Sequence, residues 1–572
     1  MKEAWKEAVV YQLYPLSFMD GNGDGIGDLK GILSRVDYLK ELGINMVWLG
    51  PVCQSPMIDH GYDVSHYRRI ADQFGTMEEM EALIEELHKR GIKLLMDLVI
   101  NHTSDEHPWF EQSRSSKDNP YRDYYIWREP KEDGSPPNDW QSFSGESAWR
   151  FDEQTGEYYF HIFDEKQPDL NWENEKLRSE IYDMVRFWLD KGIDGFRLDA
   201  INHLSKDPSF PDAADDRESP RGQKYFKNGP RMHEYLQELN REAFGRYPGI
   251  VTIGEAPSVT MEEVNRYTAQ DRGEMTMVLM MEMSRLDAKP GDRWGRAEWK
   301  LTRLKQIVDK WYKGVFGKGG YATYLSNHDY PRSLPRYGDD GVYRKESAKM
   351  LATFLLTAPG TPIIYQGEEL GMTNAKFESI DDYRDKKTRS YYHRRVEREG
   401  ADPMDALTAI HQCSKDSSRT PMQWNDSPNA GFTTGQPWIP VNPNYPDIHA
   451  EEAMADPDSI FHYYRKLIRL RKKEPVLAYG DFRLVDEEHE QVFCYTRQLE
   501  NTKFVTILNF SDEKAEFNLP KDIREGLKDA EYILSNLPEG GAVLGEKPGK
   551  EDRAVLNLAP YEAIVWKLKV NA

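Results

Sequence analysis

Cysteine is scarce in this chain. Cys53, Cys413 and Cys494 are the only three in 572 residues, they lie far apart, and none forms a C-x-x-C pair. No disulfide framework can be read from that spacing. Long apolar runs are absent as well: nothing approaches the roughly 20 residues of a membrane span. The first residues, Met1-Lys2-Glu3-Ala4-Trp5-Lys6-Glu7, contain no apolar signal segment. The expected compartment is therefore the cytoplasm, with no membrane partner. Positive charge is in short supply, 75 Lys and Arg against 97 Asp and Glu, for a net charge of −22. Such a balance argues against nucleic acid or an anionic lipid surface as partner. Low-complexity segments and long flexible linkers are missing too, so the domains are expected to pack tightly. What the chain has in quantity is aromatic surface, 12 % of residues with 14 Trp and 32 Tyr, which suits flat ligands such as sugar rings. Its length exceeds what one core supports and predicts two or three domains.

A pattern recurs along the chain. Leu29, Ile32, Leu33, Val36, Leu39 and Leu42 follow helical spacing, then Gly43-Ile44 leads into Met46-Val47-Trp48-Leu49. Met80, Leu83, Ile84 and Leu87 precede Gly91-Ile92 and Leu94 to Val99; Leu177, Ile181, Met184, Val185 and Trp188 precede Gly192-Ile193 and Gly195 to Ala200. Amphipathic helix, glycine cap and continuous apolar strand together mark parallel strands covered by helices. The capping glycines lie about 50 and then about 100 residues apart, against roughly 30 for a minimal βαβ unit. An insertion therefore follows the third strand, and residues 102–175, rich in Pro, Trp, Tyr and charge, fit it.

Val9 to Pro15, Val251 to Gly254, Met277 to Met281, Thr323 to Ser326 and Pro362 to Tyr365 supply the remaining strands of an expected eight. The predicted fold class is α/β, a (β/α)8 TIM barrel. Residues 1–101 and 176–480 form the barrel in this reading, 102–175 an inserted subdomain, and 481–572 a C-terminal antiparallel β domain. The last rests on the short alternating runs Val492 to Tyr495, Phe504 to Leu508 and Ala563 to Leu568, after Pro475 breaks the helical pattern.

Between the first strand and the first helix, Asp20-Gly21-Asn22-Gly23-Asp24-Gly25-Ile26-Gly27-Asp28 places oxygen side chains at alternate positions between glycines. Half an EF-hand loop is built this way. Asp20, Asn22, Asp24 and Asp28 with the Ile26 carbonyl are the expected ligands of a structural Ca2+ or Mg2+ ion.

Polar residues collect where the strands end: Asp97, Asn101 and His102 after the third, Arg197 and Asp199 at the fourth, Glu255 at the fifth, Asn327-His328-Asp329 at the seventh. Strand positions two apart share a face, so Arg197 and Asp199 point the same way, and the guanidinium favours an ionised, nucleophilic carboxylate. Barrel enzymes draw catalytic groups from the ends of several strands. Three carboxylates on one rim suit glycoside chemistry, in which retention needs a nucleophile and a proton donor about 5–5.5 Å apart. A third acid can orient hydroxyls, and His102 and His328 can donate to them.

Asp97-Leu98-Val99-Ile100-Asn101-His102, Gly195-Phe196-Arg197-Leu198-Asp199, Gly254-Glu255-Ala256 and Ser326-Asn327-His328-Asp329 resemble four signature regions of family 13 of the glycoside hydrolases, the α-amylase family. Gln167-Pro168-Asp169-Leu170-Asn171, Ser418 to Trp424 and Tyr365 to Met372 resemble its oligo-1,6-glucosidase and α-glucosidase branch. The resemblance runs from Trp5 to the C-terminus. It implies Asp199 as nucleophile, Glu255 as acid/base with a raised pKa, and Asp329 as transition-state stabiliser. It further implies His102, Arg197 and His328 around the glucose ring, Tyr62 stacked under it, and Asp59 with Arg419 on its non-reducing end. Phe163 and Gln167 would frame the entrance. Such a pocket implies exo action on chain ends.

The residue after the nucleophile is Val in isomaltose-cleaving members of the branch and Thr in many maltose-cleaving ones, whereas here it is Ala200. His203 and Ser258 are candidates to fill the space it leaves. Without that Val the expectation is α-1,4 preference on maltose and short maltooligosaccharides, with some transglucosylation. The alternative is an oligo-1,6-glucosidase cleaving isomaltose. A sucrose isomerase is disfavoured, because Arg285-Leu286-Asp287-Ala288-Lys289 lacks the second arginine of the isomerase loop. A non-catalytic amylase-like binding protein is disfavoured by the three retained acids. Small oligosaccharides are the expected partners of a monomer or weak homodimer.

Overall fold

The computed structural model describes residues 5–213, 219–527, 530–537, 543–546 and 554–569. Residues 1–4, and parts of the expected 481–572 domain, lie outside them. Eight parallel strands form a closed barrel: β1 (Val10–Leu13), β2 (Met46–Leu49), β3 (Lys93–Leu98), β4 (Gly195–Leu198), β5 (Val251–Gly254), β6 (Met277–Leu279), β7 (Tyr321–Tyr324) and β8 (Thr361–Tyr365). Spatial order follows chain order, β8 pairing with β1. All eight sequence-predicted strands are present.

The helices form where their caps and stripes direct them. In α1 (Val36–Leu42), Gly43 closes the C-terminus at φ +97°, a left-handed conformation that glycine adopts without Cβ strain. The predicted longer stripe is broken, since a separate short helix, Leu29–Leu33, ends at Ser34. Thr76 and Glu79 make a reciprocal capping box at the start of α2 (Met77–Lys89), whose Met80, Leu83, Ile84 and Leu87 are buried. Asn174 accepts from two backbone N–H groups at the start of α3 (Glu175–Asp190), which buries Leu177, Ile181, Met184, Val185 and Trp188.

Two compact units divide the chain. One comprises 48–279 and 317–321 and contains β3 to β6. Within it, Gly195 packs so tightly on β5 that a Cβ would lie 1.8 Å from the Val251 carbonyl oxygen, so no other residue fits there. Residues 102–175 of this unit carry a three-stranded antiparallel sheet, Trp127–Arg128, Glu157–Phe160 and Trp149–Asp152, over an aromatic cluster with Trp140, Trp149, Phe160 and Phe226.

The other unit comprises 1–47, 280–316 and 322–572. Here α5 (Arg344–Thr357) is buried all round from Ser347 onward and packs on α6 (Ile460–Lys473) and on the C-terminal strands; α4 (Leu301–Val315) precedes it. The C-terminal segment has a five-stranded sheet, from Asp481–Val485 through Val492–Leu499, Thr502–Asn509 and Ala563–Lys569 to Glu531–Ser535, and a three-stranded one. Both are antiparallel and share a core that includes Val492, Ile507, Phe517 and Leu556. Lys305 of α4 is tied to this segment by donating to the carbonyls of Asp486 and His489, at 2.8 and 2.7 Å. Among the described residues no helix is long and apolar enough to cross a membrane.

Candidate active site

Arg197 is the node of the first unit's polar cluster. It is register partner to Asp97 across β3 and β4, which brings their side chains together at the same height. Its Nη1 lies 2.7 Å from Asp97 Oδ1 and 2.8 Å from Asp199 Oδ1, while Nη2 lies 2.7 Å from Glu255 Oε2. Trp48 Nε1 donates to Asp97 Oδ2 at 2.9 Å, and the Tyr62 hydroxyl donates to the same oxygen at 3.3 Å. The guanidinium also sits over the rings of Trp48 and Tyr62, at 5.1 and 5.7 Å from their centroids. Burial works against its charge, but Asp97 and Glu255 outweigh that and hold the cation firmly.

One cation cannot neutralise three buried carboxylates. Burial pushes the Asp199 carboxyl well above the usual carboxylate range; Arg197 opposes this, and the Glu255 and Asp97 charges reinforce it. Asp199 and Glu255 also share a side-chain hydrogen bond. The raised acid here is Asp199, beside the Glu255 that the family resemblance implies as acid/base. The Ala200 N–H donates to Glu255 Oε2 at 3.3 Å, from a left-handed backbone at φ +44°.

Around this node, His102 is buried with its Nε2 3.1 Å from the Tyr62 carbonyl and its Nδ1 3.3 Å from the Asn101 amide nitrogen. Burial holds it below the ordinary histidine range, against the pull of Asp169 and Asp59. Gln167 Nε2 lies 3.2 Å from both Asp59 Oδ2 and His102 Nε2, and the Phe163 ring is 5.0 Å from His102. Asp63 orients Asp59 by accepting from its backbone N–H and that of Ile58, both at 2.9 Å. Beneath them is an ion pair that sequence reasoning missed: buried Lys206 meets Asp169 at 2.7 Å and donates to Asn101 Oδ1 at 3.0 Å. Buried His203 donates from Nδ1 to the Phe226 carbonyl at 2.9 Å, and burial pushes its pKa down to about 4. Ser258 is exposed, on a left-handed turn.

The second unit holds the remaining candidates. Asp329 Oδ1 meets Arg419 Nη2 at 3.1 Å and Lys415 Nζ at 3.8 Å; its Oδ2 lies 3.4 Å from His328 Nε2. Lys415 also approaches Asp385 Oδ1, at 3.5 Å. Arg419 Nε donates to the His328 carbonyl at 2.8 Å, and its guanidinium lies 5.4 Å from the Tyr14 ring centroid.

The loop read as a cation site closes on its own hydrogen bonds. Asp20 accepts from the N–H groups of Asn22, Gly23 and Gly25 and from Thr433 Oγ1; Asn22 accepts from Asp24, and Asp24 from Ile26. Asp28 caps the helix that follows through Gly31 N. The donors are carboxylate, amide and carbonyl oxygens, which match a hard cation. Among the described residues, no group of three or more His, Cys, Asp or Glu side chains is arranged to hold a metal.

Residues 12–480 match the family described as alpha amylase, catalytic domain. This chain belongs to that α-amylase family. It is 53 % identical to the oligo-1,6-glucosidase of Parageobacillus thermoglucosidasius over 99 % of both chains, and 50 % identical to that of Bacillus cereus over 99 % of this chain and 100 % of the other. Among solved structures, the trehalose-6-phosphate hydrolase of Bacillus licheniformis superposes with a TM-score of 0.92 at 46 % identity, covering 99 % of each. This α-amylase family member is thus a glycoside hydrolase of α-glucosides. The relatives' names favour the α-1,6 alternative over the α-1,4 preference expected from Ala200.

Proposed function

We propose that this chain is a retaining, exo-acting oligo-1,6-glucosidase that releases glucose from the non-reducing ends of isomaltose-type oligosaccharides. The observation that carries the reading is the single Arg197 guanidinium bridging Asp199 and Glu255, at 2.8 and 2.7 Å. Two carboxyl groups gathered on one guanidinium support a retaining arrangement, in which nucleophile and proton donor stand about 5–5.5 Å apart.

In the first step Asp199 attacks the anomeric carbon, the glycosidic C–O bond breaks, and a proton passes from the Glu255 carboxyl to the departing oxygen. In the second step a water gives a proton to Glu255 and its oxygen displaces Asp199. Arg197 stays bonded to both acids and compensates the charge that moves between them. By the family motif, Asp329 stabilises the oxocarbenium-like transition state, and Asp59, Gln167, His102, His328 and Arg419 bind hydroxyls of the terminal glucose. A sugar acceptor replacing water gives transglucosylation. Asp20, Asn22, Asp24, Asp28 and the Ile26 carbonyl would hold Ca2+ or Mg2+, which stiffens the loop.

The linkage assignment follows the relatives rather than Ala200, and kcat/KM on isomaltose, maltose, sucrose and trehalose 6-phosphate tests it. The expected ranking has isomaltose first. A tenfold preference for maltose or trehalose 6-phosphate defeats the linkage assignment; no turnover of any α-glucoside defeats the hydrolase reading.

A further inference from the structure

His328 has two ring nitrogens with different neighbours. Nδ1 lies 2.7 Å from Gln12 Nε2, and both side chains are buried, 1 % exposed each. Nε2 lies on the Asp329 side, 3.4 Å from Oδ2. Three constraints fix the ring in place. Tyr14 stacks on it with centroids 5.8 Å apart and planes 12° from parallel. Arg419 Nε holds the His328 carbonyl. Gln12 belongs to β1, paired in register with Tyr365, and its own carbonyl accepts from Gln366 N at 3.1 Å. With position settled, the proton is the remaining variable.

A carboxylate oxygen facing Nε2 calls for an N–H there, because an imidazole lone pair would repel it. Nδ1 then bears either a lone pair, in the neutral ring, or a second N–H, in the cation. Asp329 favours the cation. Arg419 and Lys415, both on Asp329, oppose it, and so does the loss of hydration on burial. Tyr14 is the titratable group stacked on the ring, with Tyr365 and Asp416 in turn near Tyr14. An amide N–H at 2.7 Å pairs with a lone pair on Nδ1 and conflicts with an N–H. Turning the amide to present Oε1 would demand either the imidazolium or a lone pair aimed at Asp329.

We propose that Gln12 is a positioning residue that holds His328 as the neutral tautomer protonated on Nε2. The ring is then a permanent donor on the Asp329 side, able to give a hydrogen bond to a sugar hydroxyl and unable to draw a proton from the acids. The inference rests on the α-glucosidase reading and adds to it a residue that does not itself touch substrate.

The test has two arms. In the wild-type protein labelled with 15N-histidine, long-range 1H–15N spectra at neutral pH should show His328, assigned by its loss in His328→Gln, with Nε2 protonated and Nδ1 bare. A ring protonated on Nδ1, or on both nitrogens, overturns the proposal, and this arm needs no Gln12 variant to fold. In the kinetic arm, Gln12→Met should lower kcat about tenfold, the weight of one lost hydrogen bond, with KM little changed. Gln12→Glu, which accepts from Nδ1–H, should lose more and add an ionisation to the pH profile of kcat. Activity falling only with the folded fraction, at an unaltered pH profile, overturns it equally. If the wild-type chain turns over no α-glucoside, the functional reading fails while the spectra still decide the tautomer.

Discussion

Asp97 and Arg197 stand opposite one another on neighbouring barrel strands and meet at 2.7 Å, both nearly closed to solvent. Asp97 does not contact the reaction directly. It fixes the guanidinium from below, so that the two outer nitrogens are presented to Asp199 and Glu255. Replacing Asp97 by Ala strands a buried cation and is expected to cost about 3–5 kcal/mol of stability, read from the denaturant midpoint, with kcat/KM falling as Arg197 loses its anchor. Asp97→Asn keeps an acceptor for Trp48 and should cost less. Equal stability in all three proteins would remove the anchoring role.

Asp199→Asn and Glu255→Gln should each lower kcat by about ten-thousandfold or more. They should differ in one respect. With a substrate whose leaving group needs no proton, Glu255→Gln should accumulate a glucosyl adduct on the peptide containing Asp199, visible by mass spectrometry. An adduct on any other residue would reassign the nucleophile.

Lys206 and Asp169 form a fully buried pair supporting Asn101 and His102. Lys206→Met alone should destabilise by about 3–5 kcal/mol, since it leaves Asp169 uncompensated. Adding Asp169→Asn should recover much of that loss, and a double-mutant cycle measures the coupling. Strict additivity would mean that the two charges do not sense each other.

Glu368, buried after β8, accepts from Tyr365 N and Ser333 Oγ, yet burial raises its pKa from 4.5 to about 7. The folded state therefore binds this proton more tightly than the unfolded chain. Its contribution is fully present below about pH 4.5 and is lost as pH rises through about 7, a change of about 3 kcal/mol for that shift. Urea unfolding of wild type against Glu368→Gln across pH 5–8 should show a shallower slope in the variant. Parallel curves would locate the proton elsewhere.

If the Asp20–Asp28 loop holds a divalent cation, Ca2+ or Mg2+ should raise the Tm and EDTA should lower it. Asp24→Ala should abolish the response while leaving the apo Tm nearly unchanged, because among the described residues Asp24 accepts only from Ile26 N, in an exposed bond. A Tm indifferent to both ions would leave the loop as a turn closed by its own hydrogen bonds.

The barrel was legible because its signals are local. Each stripe of Met80, Leu83, Ile84 and Leu87 type, each capping glycine and each apolar strand occupies a few adjacent residues, and periodicity reports them directly. The acids were legible from family motifs at the strand ends. Partnerships were not. Trp48 reaches Asp97 across 49 residues, Lys206 reaches Asn101 across 105, and Gln12 reaches His328 across 316. Nothing in their own neighbourhoods marks Trp48, Lys206 or Gln12 as more than strand or loop residues. The bond from His203 Nδ1 to the Phe226 carbonyl was likewise invisible, because that carbonyl belongs to another segment.

What the sequence alone determined is the order of helices and strands, and the kind of side chain delivered to each strand end. The tertiary structure decided how charge and hydrogen bonds are shared among them: one guanidinium among three carboxylates, one buried lysine on Asp169 and Asn101, one amide on the His328 ring. Those allocations depend on distances of a few ångströms and on exclusion of water, and both come into being only when distant stretches of chain are packed against each other.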